Sequence, residues 1–353
     1  MKHNIFCENA IEDNGIIYFV AFHGRLLYAY DKNSKTTKSL GAIPNQSVNG
    51  MRLFESIIKI GSKIIIAPSG ADSVMVVYDL NNEEFTCVNL RIDSKGFFKF
   101  NSIIPFENNV YLIGQSLHII LKVNLDDYKI EKIYENNNSG SWMCINGFVL
   151  DEYAYIPFVE LSSFIKLNLK TSEIEIINYD SSIKSCCGIL KGTKDDLWII
   201  GLNEPYLINT DYKGNVIKEV LIEELKGLHT PYGLFENPVI EENKIYLFPL
   251  GARNIYCYNT ETDNVEKCKE FASITNSAFS NPNNSRLFSF QAREQYIYLV
   301  EANNKVWHEV SLLDRTYNSF EVFQDPEVIT RRWKYGITES NNERLTDLFD
   351  VLR

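Results

Sequence analysis

The 353-residue chain contains no apolar run approaching the roughly 18 residues of a membrane span. It has no Cys-x-x-Cys pair, so the common zinc and thioredoxin-like spacings are missing. The first residues, MKHNIFCENAIEDNG, hold no apolar segment of the kind that marks a secretory signal. Basic residues are in the minority, with Lys and Arg at 35 against 46 Asp and Glu, for a net charge of −11. That balance disfavours a general nucleic-acid binder, which needs clustered cations for phosphates. A Gly-rich phosphate loop, a Gly-x-Ser-x-Gly elbow and a local His-x-His pair are all absent. The seven cysteines are an odd number, and several sit in apolar stretches such as NIYCYN around Cys257. Thiols in such places pack as small core side chains, so the expectations are a reducing, cytoplasmic setting, no membrane and no metal centre. Cys186 and Cys187, adjacent and without a basic neighbourhood, read as structural.

What the chain has in quantity is aromatic and aliphatic residues, 45% hydrophobic and 13% aromatic, arranged in a repeat. The segments IIYFVAF, KIIIAPS, NVYLIGQ, YAYIPFV, DLWIIGL, KIYLFPL and YIYLVEA recur from residue 16 to residue 302. Their central positions are Tyr18, Ile65, Tyr111, Tyr155, Trp198, Tyr246 and Tyr298. The period is about 47 residues, in the range of propellers and arrays. Each segment is preceded by one short strand and followed by two more, with Asp, Asn, Gly and Ser at the turns. No helical periodicity is evident within the repeats. Length alone would suggest two domains. Seven units of four antiparallel strands suggest one: an all-β, seven-bladed β-propeller over residues 1–323.

These repeats resemble the broad β-propeller superfamily, and the resemblance covers about residues 3–323. They lack the Gly-His and Trp-Asp pairs of WD40 repeats and the Gly-Gly doublet of kelch repeats. The recurring tryptophan of quinoprotein propellers is also missing, so no cofactor is expected. In blade number the chain is similar to virginiamycin B lyase-type propellers. No catalytic motif of that family maps onto it residue by residue, and the resemblance implies architecture only.

Residues 324–353 form a separate tail. EVITRRWKYGI at 327–337 could strap the seam between the first and last blades, which otherwise closes by side-chain packing. Ser340 and Glu343 form a capping box. Leu345, Leu348, Phe349 and Leu352 then fall on one face, predicting a short amphipathic C-terminal helix that docks on the propeller or on a partner.

Labelling the strands of each blade A to D, the D–A and B–C loops share one face, called the top. Most of the excess negative charge falls on the opposite A–B and C–D turns, where turn chemistry accounts for Asp and Asn. The top holds the longer loops and the candidate site residues His23, Arg25, Arg52, His118, Trp142, His229, Tyr232 and Arg253. Two readings follow. In the first, a non-enzymatic binding or scaffolding propeller presents this face to a protein or peptide, with Trp142 and Tyr232 as contact aromatics. In the alternative, a lyase or hydrolase acts on a small anionic or sugar-like substrate in the central funnel. His23, His118 and His229 would there move protons, and the arginines would hold the anion. The alternative requires at least two of these side chains to enter one pocket near the axis.

Overall fold

The computed structural model describes residues 4–46, 52–92, 98–136, 143, 147–230, 233–280, 286–293 and 296–324. It is a seven-bladed β-propeller of four-stranded antiparallel sheets, each in simple A-B-C-D order. The blades occupy residues 10–42, 54–89, 100–135, 148–178, 186–221, 235–267 and 287–321. The repeat centres read from the sequence all lie on strand B, and each is at most 9% exposed.

The fold follows from where apolar area must go. Strands B and C are buried on both faces, as in IIYFV at Ile16–Val20 and VMVVYD at Val74–Asp79. One sheet cannot cover both of its own faces, so each blade packs on its neighbours. Seven hydrophobic clusters result, one at each junction between adjacent blades. Outer strands such as Thr36–Ala42 are half exposed.

The turns explain the acidic bias. The last residue of strand C is Asp31, Asp79, Asn124, Asn168, Asp211 or Asn259 in six blades. Each accepts the backbone N–H two residues on, at 2.8–2.9 Å. The C–D hairpins then need a left-handed residue to rejoin the sheet, supplied by Lys35, Glu83, Tyr128, Ser172, Gly214, Asp263 and Arg315. At Asp31 the backbone N–H groups of Asn33 and Ser34 hold the carboxyl below its usual range.

A second tie repeats between blades. The central tyrosine of strand B reaches the residue that follows strand C of the next blade. Tyr246 Oη donates to Leu312 O at 3.0 Å, and Tyr111 Oη to Leu169 O. At the seam Tyr298 meets Lys32 at the equivalent position, 3.1 Å away. There Tyr298 Oη also donates to Glu12 Oε2 at 2.5 Å, and Lys32 Nζ lies 2.7 Å from Glu309. The seam thus closes on apolar packing around Phe19, Tyr28, Phe290 and Trp307, reinforced by a buried charged cluster. A short backbone latch adds to it. Ile5 N donates to Val322 O at 2.8 Å, and Trp307 Nε1 donates to Ile5 O at 3.1 Å. The expected strap at 327–337 and the tail helix lie outside the described residues.

One segment differs from expectation. The loop after blade 6 contains a 3-10 turn, Lys269–Phe271, and a helix, α1, Ala272–Ala278. Phe271, Ile274, Thr275 and Ala278 are its buried face, at i, i+3, i+4 and i+7. The helical period is present but spans two turns, too short to stand out from a repeat of strands. Ser277 anchors α1 by donating to Glu301 Oε2 at 2.7 Å, while Glu301 Oε1 faces His308 Nε2 at 2.9 Å.

Replacing Lys32 with Met would remove its ammonium from Glu12, 2% exposed in its side chain, and from Glu309. A stability loss of about 3 kcal/mol is expected, seen as a lower urea midpoint. The Glu12→Gln/Lys32→Met double variant should recover part of it. An unchanged midpoint in the single variant would show that the seam does not depend on this cluster.

Candidate functional site

The A strands of the blades surround a central channel of about 470 Å³. Its middle is walled by aliphatic and aromatic side chains, including Ile57, Ile103, Leu190 and Phe290. Its top end is polar. Glu8, Arg52, Glu55, Asn101, Glu236 and Arg286 all line it there, at or just before the heads of strand A.

Local backbone geometry puts them there. In blade 2, Phe54 pairs with Pro68 and Ser56 with Ala67, so Glu55 is the extra residue of a β-bulge. In blade 3, Phe100 pairs with Gly114 and Ser102 with Ile113, leaving Asn101 in the same place. In blade 6, Glu236 precedes a register shift across Asn237 and Pro238, where proline's missing N–H costs no ladder bond. Bulges re-aim a side chain that regular pleating would send elsewhere. The same bulge in blade 5 carries Cys187, which packs in the core between blades 5 and 6.

The charged groups are mutually engaged. Arg52 Nε donates to Glu8 Oε2 at 3.0 Å and to Glu55 Oε1 at 2.6 Å. Ser69 Oγ donates to Glu55 Oε2 at 2.8 Å, and the Arg52 guanidinium lies 4.7 Å from the Phe98 ring. On the other side of the mouth Arg286 is 3.8 Å from Glu236 and 4.7 Å from the Phe288 ring. Three carboxyls therefore face two guanidiniums. Burial, and then the charge and hydrogen bonding of Glu55, push the Glu8 carboxyl well above the usual carboxylate range, against the pull of Arg52 and Arg286. Burial also raises Glu236, with Arg286 opposing.

Several polar atoms here have no partner. Glu8 Oε1, Arg286 Nε and both side-chain atoms of Asn101 are buried without a hydrogen bond. Asn101 is 1% exposed. An amide with neither its donor nor its acceptor satisfied costs stability unless something else pairs with it. Below Asn101 a second cavity of about 200 Å³ opens between blades 3 and 4, lined by Ile103, Ile104, Ile113, Phe148 and Ile156. It shares Ser102, Ile103, Gly147 and Phe148 with the channel.

Of the residues singled out from the sequence, Arg52 lines the channel. His23 is exposed and rests edge-on against Phe22 and Phe6. Arg25 donates to Gln46 O at 3.5 Å in the loop joining blades 1 and 2. His118 is half-buried in the B–C loop of blade 3, with positive φ, and its carbonyl accepts from Asn136 N. His229 and Arg253 are exposed in loops of blade 6. None of these five lines the channel. Trp142 and Tyr232 lie outside the described residues. No set of three or more His, Cys, Asp or Glu able to hold a metal occurs among the described residues. Nor is any described helix long and apolar enough to cross a membrane.

Glu8, Glu55, Asn101 and Glu236 went unremarked in the sequence, although the repeat displays them. Aligned on strand A, four blades begin Cys-Glu-Asn (7–9), Phe-Glu-Ser (54–56), Phe-Asn-Ser (100–102) and Phe-Glu-Asn (235–237). A carboxyl or amide recurs at one register position facing the axis.

No family model matches the chain, and no curated protein matches it by sequence. Solved structures do. A catalytically inactive virginiamycin B lyase from Staphylococcus aureus, determined with quinupristin, superposes with a TM-score of 0.64 at 12% identity. That match covers 86% of this chain and 95% of the other. A streptogramin B lyase gives 0.63 at 14% identity, over 85% and 93% of the two chains. YCF48 bound to D1 peptide gives 0.58 at 11% identity, over 85% and 91%. At these identities the likeness establishes the propeller fold.

The raised Glu8 carboxyl has a consequence for pH. A carboxyl easier to protonate in the folded state contributes stability that is full below its ordinary value of 4.5 and is lost as pH rises through its folded value. Glu8→Gln should flatten that decline in thermal melts followed upward from pH 4.5. A variant whose pH profile superposes on that of the parent would show that Glu8 is not held protonated.

Proposed function

We propose that the protein is a non-enzymatic binding propeller whose top face takes a peptide segment of a partner protein, with part of that segment entering the channel mouth. The observation that carries this reading is the Asn101 amide, fully buried, unpartnered at both atoms and lining a cavity that opens to the top. Peptide groups are its natural complement, each offering one N–H and one C=O. The likeness to a propeller solved with a bound peptide is in keeping with this use of the fold.

The lyase or hydrolase reading, on a small anionic or sugar-like substrate, retains one supporting feature. Glu8, its carboxyl raised by burial, stands beside a second carboxyl, Glu55, and a raised carboxyl suits general-acid work. His23, His118 and His229 do not line the channel, so acid–base work would fall to those two glutamates. Two arginines already engaged by carboxylates fit an anion poorly.

Selection of random peptides on the immobilised protein should yield binders that depend on the channel. Asn101→Leu should weaken them at least about tenfold, the worth of one good buried hydrogen bond. The same change should leave the melting temperature unchanged or higher, because it removes two unsatisfied polar atoms. Binding insensitive to Asn101→Leu would move the site off the channel. Binders that the wild-type protein cleaves would favour the enzymatic reading.

A further inference from the structure

The proposal above leaves open which part of a peptide enters the mouth. Three features bear on it. Among the described residues the mouth holds three carboxyls, Glu8, Glu55 and Glu236, against the guanidiniums of Arg52 and Arg286, so with all five ionised their sum is one negative charge. Burial and the neighbouring Glu55 raise the Glu8 carboxyl, the direction in which protonation would offset that shortfall. Beneath Asn101 the second cavity is walled by isoleucines and Phe148, and its volume of about 200 Å³ suits one aliphatic or aromatic side chain. Gly147 lies where this cavity meets the channel, and no larger residue fits there. A Cβ there would stand 2.2 Å from Tyr155 O, a backbone atom that cannot yield.

We propose that the channel mouth recognises the free amino terminus of a peptide whose first residue is apolar. The α-ammonium sits against the Glu8–Glu55 carboxyl pair and supplies the missing charge. The first peptide group pairs with the Asn101 amide, and the first side chain enters the cavity between blades 3 and 4. Arg286 Nε, a donor without an acceptor, is available to a further carbonyl. No other common peptide group combines a cation, a peptide bond and an apolar side chain within one residue. A lysine side chain brings the charge without the adjacent amide, and a carboxyl terminus brings the wrong sign. An ammonium beside Glu8 favours the ionised form of its raised carboxyl, so proton release should accompany binding.

This inference rests on the peptide-binding reading, and the experiment separates the two. Leucyl-alanyl-alanine amide, its N-acetyl form, and the glycyl and aspartyl analogues are titrated calorimetrically into the full chain, in buffers of different ionisation enthalpy. The leucyl peptide should bind, and N-acetylation should cost at least about tenfold, as loss of a charge-assisted bond does. The glycyl and aspartyl analogues should be weaker, and the apparent enthalpy should follow buffer ionisation, reporting proton release. Glu55→Gln should erase the preference for the free amine, with melting temperature as the control for folding. Should the acetylated peptide bind as tightly while still depending on Asn101, amino-terminal recognition is wrong and the channel site stands. If peptides bind without regard to Asn101, or none binds, both proposals fall.

Discussion

Everything in this molecule depends on the mutual burial of adjacent blades. Strands B and C are apolar on both faces, and no single sheet can cover itself. Seven junctions, each with its own hydrophobic cluster, satisfy all the blades at once only if the ring closes. The seam between blades 7 and 1 is built like the other junctions, with charge added. The tyrosine that elsewhere donates to a turn carbonyl meets Lys32 and Glu12 instead. Ring closure also creates the channel, since seven A strands held at a common radius cannot meet at the axis.

The channel is where the structure departs from optimal packing. Bulges at Glu55 and Asn101 interrupt otherwise regular hairpins at the same level in two adjacent blades. They deliver a carboxyl engaged by Arg52 and Ser69 and an amide that nothing within the chain satisfies. Buried polar groups without partners are rare in folded proteins because each costs on the order of 1–3 kcal/mol. A concentration of them around one cavity, beside a buried carboxyl raised by its surroundings, is the pattern of a site that keeps polarity for a ligand. Elsewhere, as at Asp31 and Asp211, the acidic residues are consumed by turns. The bulk charge of −11 therefore describes the underside hairpins more than the surface a ligand meets.

The sequence made the architecture legible because a propeller repeats its local chemistry. Tyr18, Tyr111 and Tyr298 mark strand B, and the Asp or Asn ending strand C marks each hairpin. The short helix Ala272–Ala278 is not legible in the sequence because three buried positions over seven residues do not outweigh a surrounding strand pattern. The site was harder for a different reason. Glu8, Glu55, Asn101 and Glu236 are brought together by ring closure, and no local spacing reports which of seven loops converge. Residue type points to histidines and arginines in long loops, while the recurring Phe-Glu-Ser (54–56) and Phe-Asn-Ser (100–102) triplets carry no local mark of a site. Position in the repeat was the better guide, because the same register in every blade faces the same axis.

The central claim is that the Asn101 amide is a ligand contact. The most direct measurement is the side-chain ¹⁵N–¹H resonance pair of Asn101, assigned by its disappearance in Asn101→Leu. On saturation with leucyl-alanyl-alanine amide this pair should shift and its exchange with water should slow, as its donor and acceptor both become engaged. A pair that stays at its free position while the peptide is bound would contradict the account.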